Sequence, residues 1–191
     1  MHNKFLEKYY FIEKFERSNI DKQDFNTTII YRNYKKNYNI REILLIKYYC
    51  KKRRKKFIIS NDIRLSIKLS LDGAYLPSFN KDFSHLNYRF KKDFCLIGSA
   101  HNLKEIRIKE KQKVDKIFLS SIFKKNKNFL GINRFNLISK LSNKRIIALG
   151  GLSKDNIKLI SLTRSVGFAG ISFFTKKKAP KRGPFLNKVT S

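Results

Sequence analysis

The feature that most constrains this chain is a regular alternation. Eight short apolar runs, rich in β-branched and aromatic residues, are separated by polar segments, several with helical spacing. The runs are Tyr9–Phe15, Thr27–Tyr34, Phe57–Asn61, Gly73–Leu76, Phe94–Ser99, Lys116–Phe123, Arg145–Gly150 and Phe168–Phe174. Such runs, bounded by Gly, Asn or Lys, read as buried strands of a parallel sheet. Parallel strands need crossovers, and the intervening segments supply them. Ile40, Ile43 and Leu44 make one face of a helix within Ile40–Tyr49, and Leu103 and Ile106 do so within Asn102–Lys113. Phe135, Leu137, Ile138 and Leu141 mark the next helix, and Ser153 with Asp155 and Asn156 predicts another that ends near Gly167. Eight such units closing on themselves make an α/β fold, a (β/α)8 TIM barrel. A chain of 191 residues is short for that fold. Only about a dozen residues separate the first two runs, so the first helix is expected to be short or irregular. An open doubly wound sheet is the structural alternative. Residues 1–175 are expected to form a single domain and 176–191 an exposed basic tail.

Composition narrows the function classes. The chain has 44 Lys plus Arg against 14 Asp plus Glu, a net charge of +30. The cations are spread from end to end, with modest clusters at Lys51–Lys56 and Lys176–Lys178, so they read as solubility and loose anion attraction. No specific nucleic-acid partner is expected. No apolar run is long enough for a membrane helix, and the opening residues lack a secretory h-region. Cys50 and Cys95 are far apart, without metal-ligand spacing, which argues against a disulfide scaffold or a structural zinc. A cytoplasmic protein without a membrane partner is expected.

In a barrel, chemistry sits at the C-terminal ends of the strands. Those ends carry Arg32, Asn61-Asp62, Tyr75 to Pro77, Ser99-Ala100-His101, Lys124 to Lys127, Gly150-Gly151 and Phe174-Thr175. Asp62 reads either as a helix cap or as a ligand for magnesium shared with a phosphorylated substrate. Gly150-Gly151 reads as a tight turn or as a backbone phosphate cradle. His101 reads as a helix-entry residue or as the best-placed acid/base.

The segments FIISNDIRLSIKLSLDGAYLP, IGSAHNLKEI, IIALGGLSKDNI and GFAGISFF, in this order, resemble the thiamine phosphate synthases and their sister group, the TenI-like thiazole tautomerases. That resemblance implies a (β/α)8 barrel and an enzyme of thiamine biosynthesis. The synthase joins hydroxymethylpyrimidine pyrophosphate to thiazole phosphate and expels pyrophosphate with the help of Mg2+. Carried over by position, Arg32 matches a catalytic arginine, Asn61 the pyrimidine and pyrophosphate contact, and Asp62 the first magnesium ligand. Ser99 matches a pyrophosphate-binding serine. Gly151, beside Gly150, matches the glycine whose backbone holds the thiazole phosphate. In the tautomerases, the histidine at the place of His101 is the general acid/base. The resemblance also implies a homodimer.

The chain departs from the family pattern at several places. Ile30 and Tyr34 replace Gln and Lys, Tyr75 replaces a histidine, and Pro77 replaces a glycine. The second magnesium aspartate falls on Asn80 or, with a shift, Asp82. The phosphate-gripping Pro-Thr-x-Thr-Lys loop reads Lys124, Lys125, Asn126, Lys127, Asn128, whose lysines are expected to attract pyrophosphate as point charges. The terminal Ile-Ser falls on Phe174-Thr175. The synthase is the main expectation. A tautomerase using His101, and a non-catalytic barrel binding a phosphorylated ligand or polyanion, are the alternatives.

Overall fold

The structure, a computed structural model, describes residues 6–34 and 39–175. The expected tail, 176–191, lies outside the described residues. Eight parallel strands close into a barrel in sequence order: β1 Glu7–Ile12, β2 Thr27–Tyr31, β3 Phe57–Ser60, β4 Gly73–Leu76, β5 Cys95–Ala100, β6 Lys116–Ser120, β7 Arg145–Leu149 and β8 Gly167–Gly170. Closure is made where Glu7 of β1 registers with Gly167 of β8. The open-sheet alternative is therefore excluded.

The helices are α1 Arg17–Asp21, α2 Ile40–Lys52, α3 Ile63–Lys68, α4 Leu103–Lys111, α5 Gly131–Lys140 and α6 Ser172–Thr175. The short chain fits because three crossovers are abbreviated. α1 has only five residues, and 3-10 turns at Ser84–Asn87 and Ile157–Leu162 replace the fourth and seventh helices. The helix predicted from Ser153 is thus a 3-10 turn. Asn156 spends its side chain on Ser153 N and Gly151 O, 2.8 and 2.9 Å away, instead of capping a longer helix. No described helix is long and apolar enough to cross a membrane.

Strand residues alternate between two cores. Tyr9, Phe11, Ile30, Ile58, Tyr75, Ile97, Phe118, Ile147 and Ala169 fill the barrel. Their neighbours, such as Tyr10, Ile29, Tyr31 and Ile59 on one side and Leu76, Leu96, Ile117 and Ile146 on the other, pack outward beneath the helices. Inside, Phe118 meets the rings of Tyr9, Phe11 and Tyr75 at centroid distances of 5.2, 5.6 and 5.6 Å.

Two strands are shorter than their apolar runs. β6 stops at Ser120, and Ile122 and Phe123 instead donate to Leu149 O and Gly150 O, laying the next loop over the end of β7. β8 stops at Gly170. Phe173 and Phe174 belong to α6 and turn back onto Phe168, with centroids 4.9 and 5.8 Å from it. Their hydrophobicity serves the barrel wall, not a longer strand.

Candidate functional site

The inward parity of the strands dictates which side chains meet at the C-terminal mouth. Two residues beyond inward Ile30, Ile97 and Phe118 stand Arg32, Ser99 and Ser120, and a further step beyond Ser99 stands His101. These four line one cavity of about 550 Å³, shared with Tyr34, Tyr75, Phe79, Ser121, Lys124, Gly150, Gly151, Ile171 and Ser172. No carboxylate among the described residues lines it, so the mouth is a cationic, hydroxyl-rich cup with aromatic walls.

The acids stand behind the cations. Arg32 Nη2 is 2.7 Å from Glu13 Oε1, and its guanidinium lies 5.5 Å from the centroid of the Phe11 ring, which fixes the fork over the barrel. His101 Nδ1 is 2.9 Å from Glu105 Oε2, and its Nε2 has no hydrogen-bond partner among the described residues. Tyr75 donates to Ser99 Oγ at 2.9 Å. Burial pushes the Tyr75 phenol well above its ordinary value, so it acts as a neutral donor. The rings of Tyr34 and Phe79 meet edge to face with centroids 5.5 Å apart at the rim.

The Gly150-Gly151 turn is built for close approach. Both residues have positive φ, +99° and +78°. A Cβ on Gly150 would lie 2.6 Å from Ser121 Oγ, and one on Gly151 would lie 2.3 Å from Lys124 N. The Gly150 carbonyl accepts from Phe123 N and Lys124 N at 2.9 and 3.3 Å, which docks the lysine loop on the turn. The Gly151 amide donates to no acceptor among the described residues. Lys124 lines the cavity, whereas the side chains of Lys125 and Lys127 are exposed outside its lining.

Asn61, Asp62 and Asn80 sit together in a neighbouring cleft of about 350 Å³. Asn61 follows inward Ser60 with φ +61°, a left-handed turn that asparagine tolerates, and this turns the chain away from the mouth. Asp62 caps α3, its Oδ1 accepting from Leu65 N at 2.8 Å. Asn80 is fully engaged: Oδ1 accepts from Asp82 N and Gln112 Nε2, while Nδ2 donates to Asn61 Oδ1 at 2.8 Å. Magnesium demands an octahedral oxygen shell that usually includes one or two carboxylates. Asp62 has one oxygen committed, Asn80 has none to offer, and no cluster of three His, Cys, Asp or Glu that could hold a metal occurs among the described residues. As placed, these residues do not fit a magnesium site built by the protein.

Several mouth residues carried little or no sequence signal. Ser120 is legible from strand parity, and Glu105 from its i, i+4 spacing to His101. Glu13, Tyr34 and Phe79 reach the site from loops. Ile171 and Ser172, directly after Gly170, line the mouth together with Thr175, whereas Phe174, expected beside Thr175, packs on Phe168 instead.

With this geometry in hand, the comparisons are specific. The thiamine monophosphate synthase family model matches residues 22–174. A putative thiamine-phosphate synthase 2 of Aquifex aeolicus is 30% identical over 128 residues, 65% of this chain and 68% of that protein. The thiamine-phosphate synthase of Lactococcus lactis is 24% identical over 131 residues, 66% of this chain and 60% of that one. These matches therefore leave a substantial part of each relative's length unaligned. The barrel of a thiamine phosphate pyrophosphorylase from Pyrococcus furiosus superposes with a TM-score of 0.71 at 22% identity, covering 87% of this chain and 86% of that one. This chain belongs to the thiamine monophosphate synthase family.

Proposed function

We propose that the chain is a thiamine phosphate synthase, joining hydroxymethylpyrimidine pyrophosphate to thiazole phosphate with release of pyrophosphate. The observation that carries this reading is the convergence of Arg32, Ser99, Lys124 and the Gly150-Gly151 turn on a single cavity with no carboxylate among the described residues of its lining. Two phosphorylated substrates must enter together, and a cup of cations, hydroxyls and accessible backbone amides suits both. The bond to pyrophosphate breaks with its electron pair leaving on the pyrophosphate, and the thiazole captures the pyrimidine cation. Charge develops on the departing group, so the fixed fork of Arg32 and the Lys124 ammonium stabilise it. Ser99, held by Tyr75, donates to the same anion. The amide of Gly151 holds the thiazole phosphate. The rim pair Tyr34 and Phe79 offers an aromatic wall for a flat ring.

Neither the tautomerase nor the non-catalytic alternative is favoured by the named relatives. Two free thiols, Cys50 buried and Cys95 partly so, fit a reducing cytoplasmic compartment. The test is to incubate purified protein with the two phosphorylated halves and look for thiamine phosphate by mass spectrometry. The reading requires product; both substrates recovered unchanged would reject it.

A further inference from the structure

The N-terminal end of the barrel, opposite the mouth, holds a cavity of about 380 Å³ that the proposed chemistry does not use. Strand parity builds it. Two residues before inward Ile30, Ile58, Ile97 and Phe118 stand Thr28, Lys56, Cys95 and Lys116, which line the cavity. At Gly73 and Gly167, two residues before inward Tyr75 and Ala169, no side chain plugs this end. The cavity therefore reaches up to Tyr9, Ile58 and Ile97 of the interior packing, which give it an apolar and aromatic floor. Phe25, 78% exposed, adds a ring at its edge.

The acids of the lining are already engaged. Glu7 accepts from Lys116, Arg145 and Tyr9, and Asp72 Oδ2 accepts from Phe57 N at 2.8 Å. Lys8 pairs with Asp24. Arg54 and Lys56, by contrast, line the cavity with no side-chain hydrogen bond or ion pair among the described residues. Lys55 between them is buried, and its ammonium donates to Gln23 O and Asp24 O at 2.6 Å each, which pins the segment that carries the two unpaired cations. Two such cations beside an apolar floor are complementary to one negative group on a flat apolar body.

We propose that this end of the barrel is a second binding site, for a small aromatic carboxylate. Its carboxylate meets Arg54 and Lys56, and its ring lies against Tyr9, Ile58 and Ile97. The site is separate from the mouth and does not depend on the synthase reading.

Cys95 reports on occupancy, because it lines this cavity, whereas Cys50, the other cysteine of the chain, is fully buried outside it. The probe is 1-naphthoate, and the readout is the rate at which iodoacetamide alkylates Cys95, followed by peptide mass spectrometry. Saturating 1-naphthoate should slow that rate by about fivefold or more. The uncharged analogue 1-naphthalenemethanol should protect far less at the same concentration. Half-protection should need about tenfold more 1-naphthoate in Lys56→Gln and in Arg54→Gln, the loss of one charged hydrogen bond. Both residues are exposed, so either variant keeps the test readable if the other does not fold. Lys154→Gln removes the same charge from an exposed position after β7, at the other end of the barrel, and should shift half-protection by less than about twofold. No protection, equal protection by the alcohol, equal shifts in Lys56→Gln and Lys154→Gln, or a Cys95 that does not react in the free protein would overturn the proposal.

Discussion

Glu105 Oε2 lies 2.9 Å from the backbone N of His101 and 2.9 Å from its ring Nδ1. Asn102 completes the arrangement, its Oδ1 accepting from Glu105 N at 2.9 Å. Asn102 thus caps α4, and the Glu105 carboxylate ties down the residue before the cap and orients the histidine that lines the mouth. Glu105→Ala removes both functions. It should lower the unfolding free energy by about 1–2 kcal/mol, read by urea denaturation. Unchanged stability would show that these two bonds contribute nothing.

At Gly151 the backbone has φ +78° and leaves no room for a side chain. Gly151→Ala should displace the Lys124 loop as well as strain the turn. The expected result is at least a tenfold rise in KM for thiazole phosphate, with a stability loss of about 1–2 kcal/mol. Steady-state kinetics with the pyrimidine substrate held saturating would read the first. A normal KM would mean that this turn does not hold the phosphate.

Asp62 serves α3 before it serves any ligand, through Oδ1 to Leu65 N. Asp62→Ala should therefore cost about 1 kcal/mol of stability, visible in thermal melting. An unchanged melting temperature together with lost activity would instead assign Asp62 wholly to the site.

At the opposite end of the barrel, Glu7 accepts from Lys116 at 2.6 Å, Tyr9 at 2.5 Å and Arg145 at 2.6 Å. Burial alone would raise its carboxyl pKa, but the hydrogen bonds from Lys116 and Tyr9 and the two cations outweigh it and hold it below the ordinary 4.5. The folded state thus binds this proton less readily than the unfolded chain. The stabilisation is complete above 4.5 and is lost as pH falls through the lower folded value. Glu7→Gln should cost about 1–2 kcal/mol at neutral pH and progressively less in acid. Denaturant midpoints measured across that range check the sign; a difference that grows in acid would contradict it.

The barrel was legible because its evidence is periodic: eight apolar runs, and Gly73–Leu76 with both bounds as observed. Arg32, Ser99 and His101 were legible for a related reason, since strand parity and strand ends place them together. Parity also explains what strand-end reading blurred. Asn61 and Asp62 follow Ser60 directly in sequence, yet a left-handed turn and a helix cap carry them into the next cleft. Phe173 and Phe174 are as apolar as any strand residue, and only the bend after Gly170 shows that they cover the barrel from outside. Lys109 looked like one more surface lysine among 44 cations. Its burial depends on Gly98, a contact between two elements that no local pattern encodes.

Arg32, clamped by Glu13 over Phe11, carries the largest catalytic demand, because it meets the charge that appears on departing pyrophosphate. The most direct measurement is the single-turnover rate of thiamine phosphate formation by wild type and Arg32→Ala, with both substrates saturating in a magnesium-containing buffer. Product should form with the wild type, and the variant should be slower by roughly 100-fold or more. No product from the wild type, or equal rates in the two proteins, would contradict the assignment of the chemistry to this mouth.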